Sequence, residues 1–421
     1  MEGFRIMGGE RIEGEIRLEG AKNAVLPILA ASILPEGDVL IRDCPDIQDV
    51  HAMAGILQKL GCETQWQDGS MLIHNGKIHN WEMPDALSKQ IRSSIFMLGP
   101  ILGKMHRATV PYPGGCEIGI RPIDLHLKGL RALGVKIVDD GGMLYCDGRE
   151  MHAGDVYLDY PSVGATENVM MAASLLPGIT TIHNAAREPE IEDLQRFINA
   201  MGGKIQGAGT QLIEIEGVES MHGVEYAPIS DRIVAGTLMC AAAVTGGYVR
   251  LKNVCPWDLV PVSAKLQEMG CKIHDMGADL ILQGPEHLHA CSPLQTQPHP
   301  GFPTDMQAQM LAISCVARGT TVIVENVFEN RFAQTADLTR MGAHIHVNGR
   351  MAVVQGVDHL HGMQVSARDL RGGAAMVLAG LIAQGETIVE NIGFIDRGYA
   401  HFEKMLSALG AKIERISLRG G

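Results

Sequence analysis

Aromatic residues are scarce in this chain, at 4% of 421 residues, and no basic run or aromatic-interleaved basic patch occurs. With 35 basic against 48 acidic residues the formal charge is −13, which argues against a nucleic-acid partner. Any phosphate bound here should belong to a small molecule held by a few placed cations. Cysteine pairs are missing as well. The nine cysteines (Cys44, Cys62, Cys116, Cys146, Cys240, Cys255, Cys271, Cys291 and Cys315) are an odd number with no C-x-x-C spacing, the usage of reduced thiols in a cytoplasm. Seventeen histidines include no H-E-x-x-H and no carboxylate–histidine array. The HLH at 287–289 and the HIH at 344–346 read as surface or strand alternation, so no metal is implied. The first residues carry no apolar signal core, and the longest apolar stretches, such as Gly373 to Ala383, fall short of the roughly 18–20 residues that cross a bilayer. The expectation is a cytoplasmic protein without a membrane partner, acting as a monomer. What remains is an ordinary globular composition, 46% apolar and 20% charged, long enough for roughly two to three domains and a large core.

A repeat organises the chain. The phrase Leu-x-x-Met/Leu-Gly-x-x-Ile recurs as LQKLGCET, LRALGVKI, INAMGGKI, LQEMGCKI, LTRMGAHI and LSALGAKI, with its glycine at 61, 134, 202, 270, 342 and 410. Units of 68 to 73 residues therefore fill the sequence six times. Each phrase follows a β-like run, has apolar residues at helical spacing, and meets a glycine suited to a left-handed C-cap. A second set of segments is apolar almost all round: Ala24 to Leu34, Ile91 to Leu102, Thr166 to Leu176, Ile233 to Val244, Met306 to Val316 and Gly373 to Ala383. Helices of that kind must be buried on every side, with sheets outside them. The pattern predicts an α/β architecture of two three-repeat lobes, with helices inside and sheets outside. Lobe one is expected over residues 22–229, and lobe two over 1–21 plus 230–421, because the strand-like opening residues would complete the truncated sixth unit. The chain would cross between the lobes near Gly20 and Ser230, with the substrate cleft between them.

The residue at the start of each buried helix is Lys22, Arg92, Ser162, Arg232, Asp305 and Arg371. Helix N-termini carry partial positive charge and unpaired N–H groups, so six of them, four with a cation, are expected to attract phosphates and carboxylates. The segment 111–122, PYPGGCEIGIRP, has three prolines and three glycines and cannot be core. It presents Cys116 beside Arg121, which favours a thiolate or an anion, and Glu117, which opposes it. The remaining eight cysteines are assigned to packing. Asp305 follows Thr304, and the pair reads either as a helix cap and a favourable charge or as a catalytic carboxylate.

The ordered motifs GAKNAVLPILAASIL, PGGC-x-IG-x-RP-x-DLH, SVGAT, NAAREPEIED, PTDMQAQ, VFENRF, RMGAH, DLR and IDRGY span the chain. In these the sequence resembles the bacterial UDP-N-acetylglucosamine enolpyruvyl transferases (1-carboxyvinyltransferases) of peptidoglycan synthesis. The resemblance implies the enolpyruvyl transferase fold, an inside-out α/β barrel of six repeats in two three-repeat lobes. It also implies transfer of the enolpyruvyl group of phosphoenolpyruvate to the 3'-hydroxyl of UDP-N-acetylglucosamine, with release of phosphate through a tetrahedral ketal and without a cofactor. Residue by residue, it implies that Lys22 and Asn23 hold phosphoenolpyruvate, and that Arg121 and Arg397 bind its anionic groups. Cys116 becomes the proton donor to the methylene, the site of a covalent adduct and the target of phosphonate epoxides such as fosfomycin. Arg92, Arg121, Pro122, Ile123, Asp124, Leu125, Ser162, Val163, Asp305 and Val327 line the UDP-sugar, with Asp305 as base, while Arg331, Asp369 and Arg371 complete the site. The arginines would offset the mutual repulsion of two anionic substrates. One departure stands before SVGAT, where some members carry a lysine and this chain has Tyr160 and Pro161. The alternatives are 5-enolpyruvylshikimate-3-phosphate synthase, against which the cysteine loop and the GAKN opening speak, and a non-enzymatic six-repeat scaffold, which would call for a basic inner face.

Overall fold

The computed structural model describes residues 2–76, 78–113 and 123–418. Cys116, Glu117, Arg121 and Pro122 lie outside the described residues. The chain divides into two compact units, one formed by the residues up to Glu19 together with those from Ser230 onward, the other running from Gly20 to Ile229.

In the unit starting at Gly20, the helices Lys22–Ala31, Leu98–Met105 and Val163–Ala173 are almost wholly buried. Their packing is close enough that a Cβ on Gly99 would lie 2.4 Å from the carbonyl oxygen of Asn168, so the second residue of the helix Leu98–Met105 must be glycine. The expected helix over Ile91 to Leu102 begins instead as a 3₁₀ helix, Arg92–Met97, before turning α-helical. There the Ser94 hydroxyl donates to the Ser88 carbonyl, tying this start to the preceding short helix Asp85–Ser88.

Each repeat folds as a strand, an amphipathic helix ending at the repeat glycine, and a strand hairpin. The six glycines all have positive φ, from 86° at Gly134 to 114° at Gly61, a conformation that only a residue without Cβ adopts at little cost. In the first repeat the strands Glu36–Ile41, Ser70–His74 and Glu63–Gln67 form an antiparallel sheet, and His222–Tyr226, from the end of the same unit, adds as a parallel edge. Asp155–Tyr157 adds in the same way to the third sheet. In the second sheet the parallel edge shrinks to a single bridge between Glu82 and Thr109. In each of these three sheets the edge is thus extended by a segment from another repeat of the same unit.

The other unit repeats the plan with the helices Arg232–Val244, Gln307–Ser314 and Leu370–Ile382. Its sixth sheet has the order Gln364–Ser366, Glu386–Glu390, Glu2–Met7, Lys412–Ser417, so the first strand of the chain fills the place of the missing hairpin partner. Glu13–Arg17 then pairs parallel to Tyr248–Lys252 as the edge of the fourth sheet. Phe4 and Ile6 on the first strand are fully buried in this unit's core, so burial of their apolar surface, worth roughly 2 kcal/mol each, helps hold the chain start in place. Among the described residues no helix is long and apolar enough to cross a membrane.

Candidate active site

Asp305 lies in a 3₁₀ turn, Thr304–Met306, leading into the helix Gln307–Ser314. Its carboxylate is gripped from two sides. One oxygen accepts from Arg331 Nη2 at 2.6 Å, and the other from Arg371 Nη2 at 3.1 Å and Nε at 3.3 Å. The side chains of Arg331 and Arg371 are 4% and 2% exposed against 23% for Asp305, so the carboxylate is the face of the triad nearest solvent. Burial alone would lower the Arg371 pKa, but Asp305 first, then Tyr399 and Asp231, reverse this and raise it. Arg371 therefore stays a cation in a fully buried place. Two guanidinium nitrogens, Arg331 Nε and Arg371 Nη1, are buried without a hydrogen-bond partner among the described residues.

Asp305 does stand in the first turn, but the reading of Thr304 as the cap is corrected here. The residue at the cap position is Pro303, which has no side-chain acceptor, and no side-chain cap forms. Thr304 donates instead to Glu325 Oε2 at 2.9 Å. Glu325 escaped the sequence reading although it stands in the run VIVENVFENRF. Fully buried at the end of the strand Thr320–Val324, it accepts from Thr296 Oγ1 at 2.9 Å and from the backbone N–H groups of Val327 and Phe328 at 2.8 and 3.0 Å. One carboxylate thus orders both the turn holding Val327 and the residue preceding Asp305.

Helix N-termini do not all remain open to ligands, another correction. Asp369 accepts from the N–H groups of Arg371 and Gly372 at 3.0 and 2.9 Å, and Asp231 does the same for Ile233 and Val234 at 2.8 and 2.9 Å. The anion that these termini favour is already supplied by the chain. Asp369 therefore fixes the backbone that presents Arg371. Arg232 is half-buried beside Asp231, and Arg397 is half-buried immediately after the helix Gly393–Asp396.

In the other unit, Lys22 opens its helix nearly buried, with Nζ 2.8 Å from Asp49 Oδ2; Asn23 beside it is half-buried. The starts of three helical segments converge. Arg92 is half-buried, its pKa lowered by burial. Ile123 and Asp124 begin the helix Asp124–Ala132, with Leu125 half-buried, and Ser162 caps Val163–Ala173 by accepting from Ala165 N at 3.4 Å. The tie between them is His126, which the sequence reading passed over with the other histidines. Its Nδ1 is 2.7 Å from Asn168 Nδ2, and Asn168 also bonds Gly99 N at 2.6 Å and the Ile95 carbonyl at 3.0 Å. Tyr160, at the departure before SVGAT, is exposed.

His126 also yields a pH prediction. Burial first, and the nearby charge of Arg92 second, push its pKa down to about 4, against about 6.5 unfolded. Between those values the unfolded chain binds a proton that the folded chain refuses. This contribution to stability is therefore complete above about pH 6.5 and is lost as pH falls, amounting to roughly 3 kcal/mol by pH 4. Urea unfolding of His126→Gln should show a flatter dependence over that window than the unaltered protein; equal slopes would remove His126 as its source.

The assignment of eight cysteines to packing holds for seven. Cys62, Cys146 and Cys271 are buried, and burial pushes their thiols up to about 11, 12 and 12. Cys255 is exposed, because it sits in the turn before the 3₁₀ helix Pro256–Leu259 rather than on a core-facing position. Among the described residues no cluster of histidine, cysteine and carboxylate groups has the arrangement of a metal site.

A sequence profile of the family described as EPSP synthase (3-phosphoshikimate 1-carboxyvinyltransferase) matches residues 6–406. Within that breadth, a UDP-N-acetylglucosamine 1-carboxyvinyltransferase 2 of Caldanaerobacter subterraneus subsp. tengcongensis is 48% identical over 98% of this chain and 99% of its own. The enzyme of the same name from Clostridium tetani is 46% identical over 98% and 99%. The chain belongs to the UDP-N-acetylglucosamine 1-carboxyvinyltransferase family. Its fold is the inside-out α/β barrel of enolpyruvyl transferases. The crystal structure of the enolpyruvyl transferase NikO from Streptomyces tendae superposes with a TM-score of 0.88 at 24% identity, covering 98% of each chain. EPSP synthase from Acinetobacter baumannii superposes at 0.75 with 17% identity, over 99% of this chain and 100% of that one. At such identities the two structures speak for the fold alone.

Proposed function

We propose that this protein transfers the enolpyruvyl group of phosphoenolpyruvate to the 3'-hydroxyl of UDP-N-acetylglucosamine and releases phosphate, the first committed step of peptidoglycan synthesis. The observation that carries the reading is near-half identity, over almost the whole of both chains, to enzymes named for that activity. A carboxylate clamped by two buried arginines suits the chemistry. In the addition step Cys116 gives its thiol proton to the methylene carbon, the sugar oxygen bonds to C2, and Asp305 takes the hydroxyl proton. In the elimination the new methyl group returns a proton to the Cys116 thiolate, the double bond re-forms, and phosphate leaves C2 with the proton that Asp305 had taken up. General acid and base groups on opposite sides of the reacting carbon contribute about 10²–10⁴-fold each.

Asp305 can take up a proton once its negative charge is no longer wholly committed to Arg331 and Arg371. A substrate carboxylate competing for those guanidinium groups, two of whose nitrogens have no hydrogen-bond partner among the described residues, would release it. Lys22, Asn23, Arg121 and Arg397 are assigned to phosphoenolpyruvate. Arg92, Pro122 to Leu125, Ser162, Val163 and Val327 are assigned to the UDP-sugar, which the convergence of the segments carrying Arg92, Asp124 and Ser162 supports. Both substrates are small anions, and the formal charge of −13 fits an enzyme that works without nucleic acid.

The test is to incubate the purified protein with phosphoenolpyruvate and either UDP-N-acetylglucosamine or shikimate 3-phosphate, following inorganic phosphate. Release with the UDP-sugar alone is expected. Release with shikimate 3-phosphate, or with neither acceptor, would overturn the reading.

A further inference from the structure

The motif IDRGY carries Arg397 between two residues that the structure fastens independently. On one side is Asp396, the last residue of the helix Gly393–Asp396. Arg415, from the final strand Lys412–Ser417, holds both Asp396 oxygens, with Nη1 at 2.9 Å and Nη2 at 2.7 Å. The same guanidinium reaches Glu403 at 3.3 Å and Glu2 at 3.0 Å, and lies 5.2 Å from the ring of Phe4. Three carboxylates from three elements thus share one arginine only partly open to water. Its pKa is raised, the hydrogen bond to Asp396 contributing most while burial opposes. On the other side is Tyr399, 1% exposed, whose ring lies 5.3 Å from the Arg371 guanidinium and 4.6 Å from the Phe402 ring. Its hydroxyl is 2.9 Å from Thr237 Oγ1 and 3.3 Å from Gln309 Nε2. The N–H groups of Gly398 and Tyr399 both bond the Ile395 carbonyl, so little slack remains between the two anchors.

We propose that Arg415 is a positioning residue for Arg397: by clamping Asp396 it sets the direction in which Arg397 meets the anionic groups of phosphoenolpyruvate, with Tyr399 as the opposite, fixed support against Arg371. This rests on the activity proposed above. A preorganised cation contributes more than one that must be ordered when the ligand arrives. A purely structural role, fastening the first and last strands, would lower stability without distinguishing the substrates.

Arg415→Ala should therefore raise KM for phosphoenolpyruvate by about tenfold while leaving KM for UDP-N-acetylglucosamine within about twofold, and Arg415→Lys should recover part of the loss. In an Arg397→Lys background the same Arg415→Ala change should cost less than about twofold, since residues acting through one another are non-additive. Asp396→Asn, which keeps the side-chain shape, should reproduce the selective rise in KM even if Arg415→Ala folds poorly. Both KM values rising together, a lower melting temperature with unchanged kinetics, or full additivity with Arg397→Lys would overturn the proposal. If the unaltered protein released no phosphate, the activity assignment would fail first, and that result differs from every variant-specific outcome.

Discussion

Asp305→Asn should lower the rate of phosphate release by roughly two to four orders of magnitude, the range for losing a positioned base. The amide is nearly isosteric, so the turn Thr304–Met306 and the bond from Thr304 to Glu325 should persist. Stability is another matter. The substitution removes the charge balancing Arg331 and Arg371, both almost fully buried, and uncompensated buried charge costs about 3–5 kcal/mol when one partner of a pair is lost. The partial exposure of Asp305 puts the expected loss at the lower end of that range. Phosphoenolpyruvate and the UDP-sugar supply replacement anions, so their addition should raise the melting temperature more in the variant than in the unaltered protein. Turnover measured below the variant's own melting range decides the catalytic role. Wild-type turnover there would leave Asp305 as a structural counter-ion.

Cys116 should be the thiol that a small phosphonate epoxide alkylates, because the resemblance makes it the proton donor and its competitors are poor nucleophiles. Among the described cysteines, burial raises the pKa of Cys62, Cys146, Cys240, Cys271, Cys291 and Cys315, and that of the exposed Cys255 is also raised, by partial burial and then by Asp258. A thiol reacts as its thiolate, so each of these is disfavoured. Cys116→Ala should abolish labelling and lower phosphate release by roughly two to four orders of magnitude. Cys116→Asp should keep measurable turnover, a carboxylic acid being able to donate a proton, while escaping alkylation. Peptide mass mapping reads the outcome, and label concentrated on Cys255 or spread over several cysteines would sink the assignment.

Local signals in the sequence determined the repeat and much of the fold. Glycines at 61, 134, 202, 270, 342 and 410 end amphipathic helices because each needs a left-handed φ, a requirement written in the residue type itself. Segments apolar all round, such as Gly373 to Ala383, can only be interior helices, and Leu370–Ile382 is one. The strand-like opening residues had no hairpin partner nearby, which pointed to the truncated sixth repeat, and Glu2–Met7 lies between Glu386–Glu390 and Lys412–Ser417. Partners of charged groups were not legible in this way. Nothing near Asp305 distinguishes a helix cap from a clamped carboxylate, since Arg331 and Arg371 come from 26 and 66 residues away. Asp231 and Asp369 are the exception, since each caps a helix through N–H groups only two and three residues ahead. Glu325 and His126 carry no periodic signal, and their importance comes from burial with several partners contributed by separate elements. Periodicity and backbone conformation are properties of a short window of chain, whereas the partner of a charge depends on which distant segments the core brings within about 3 Å.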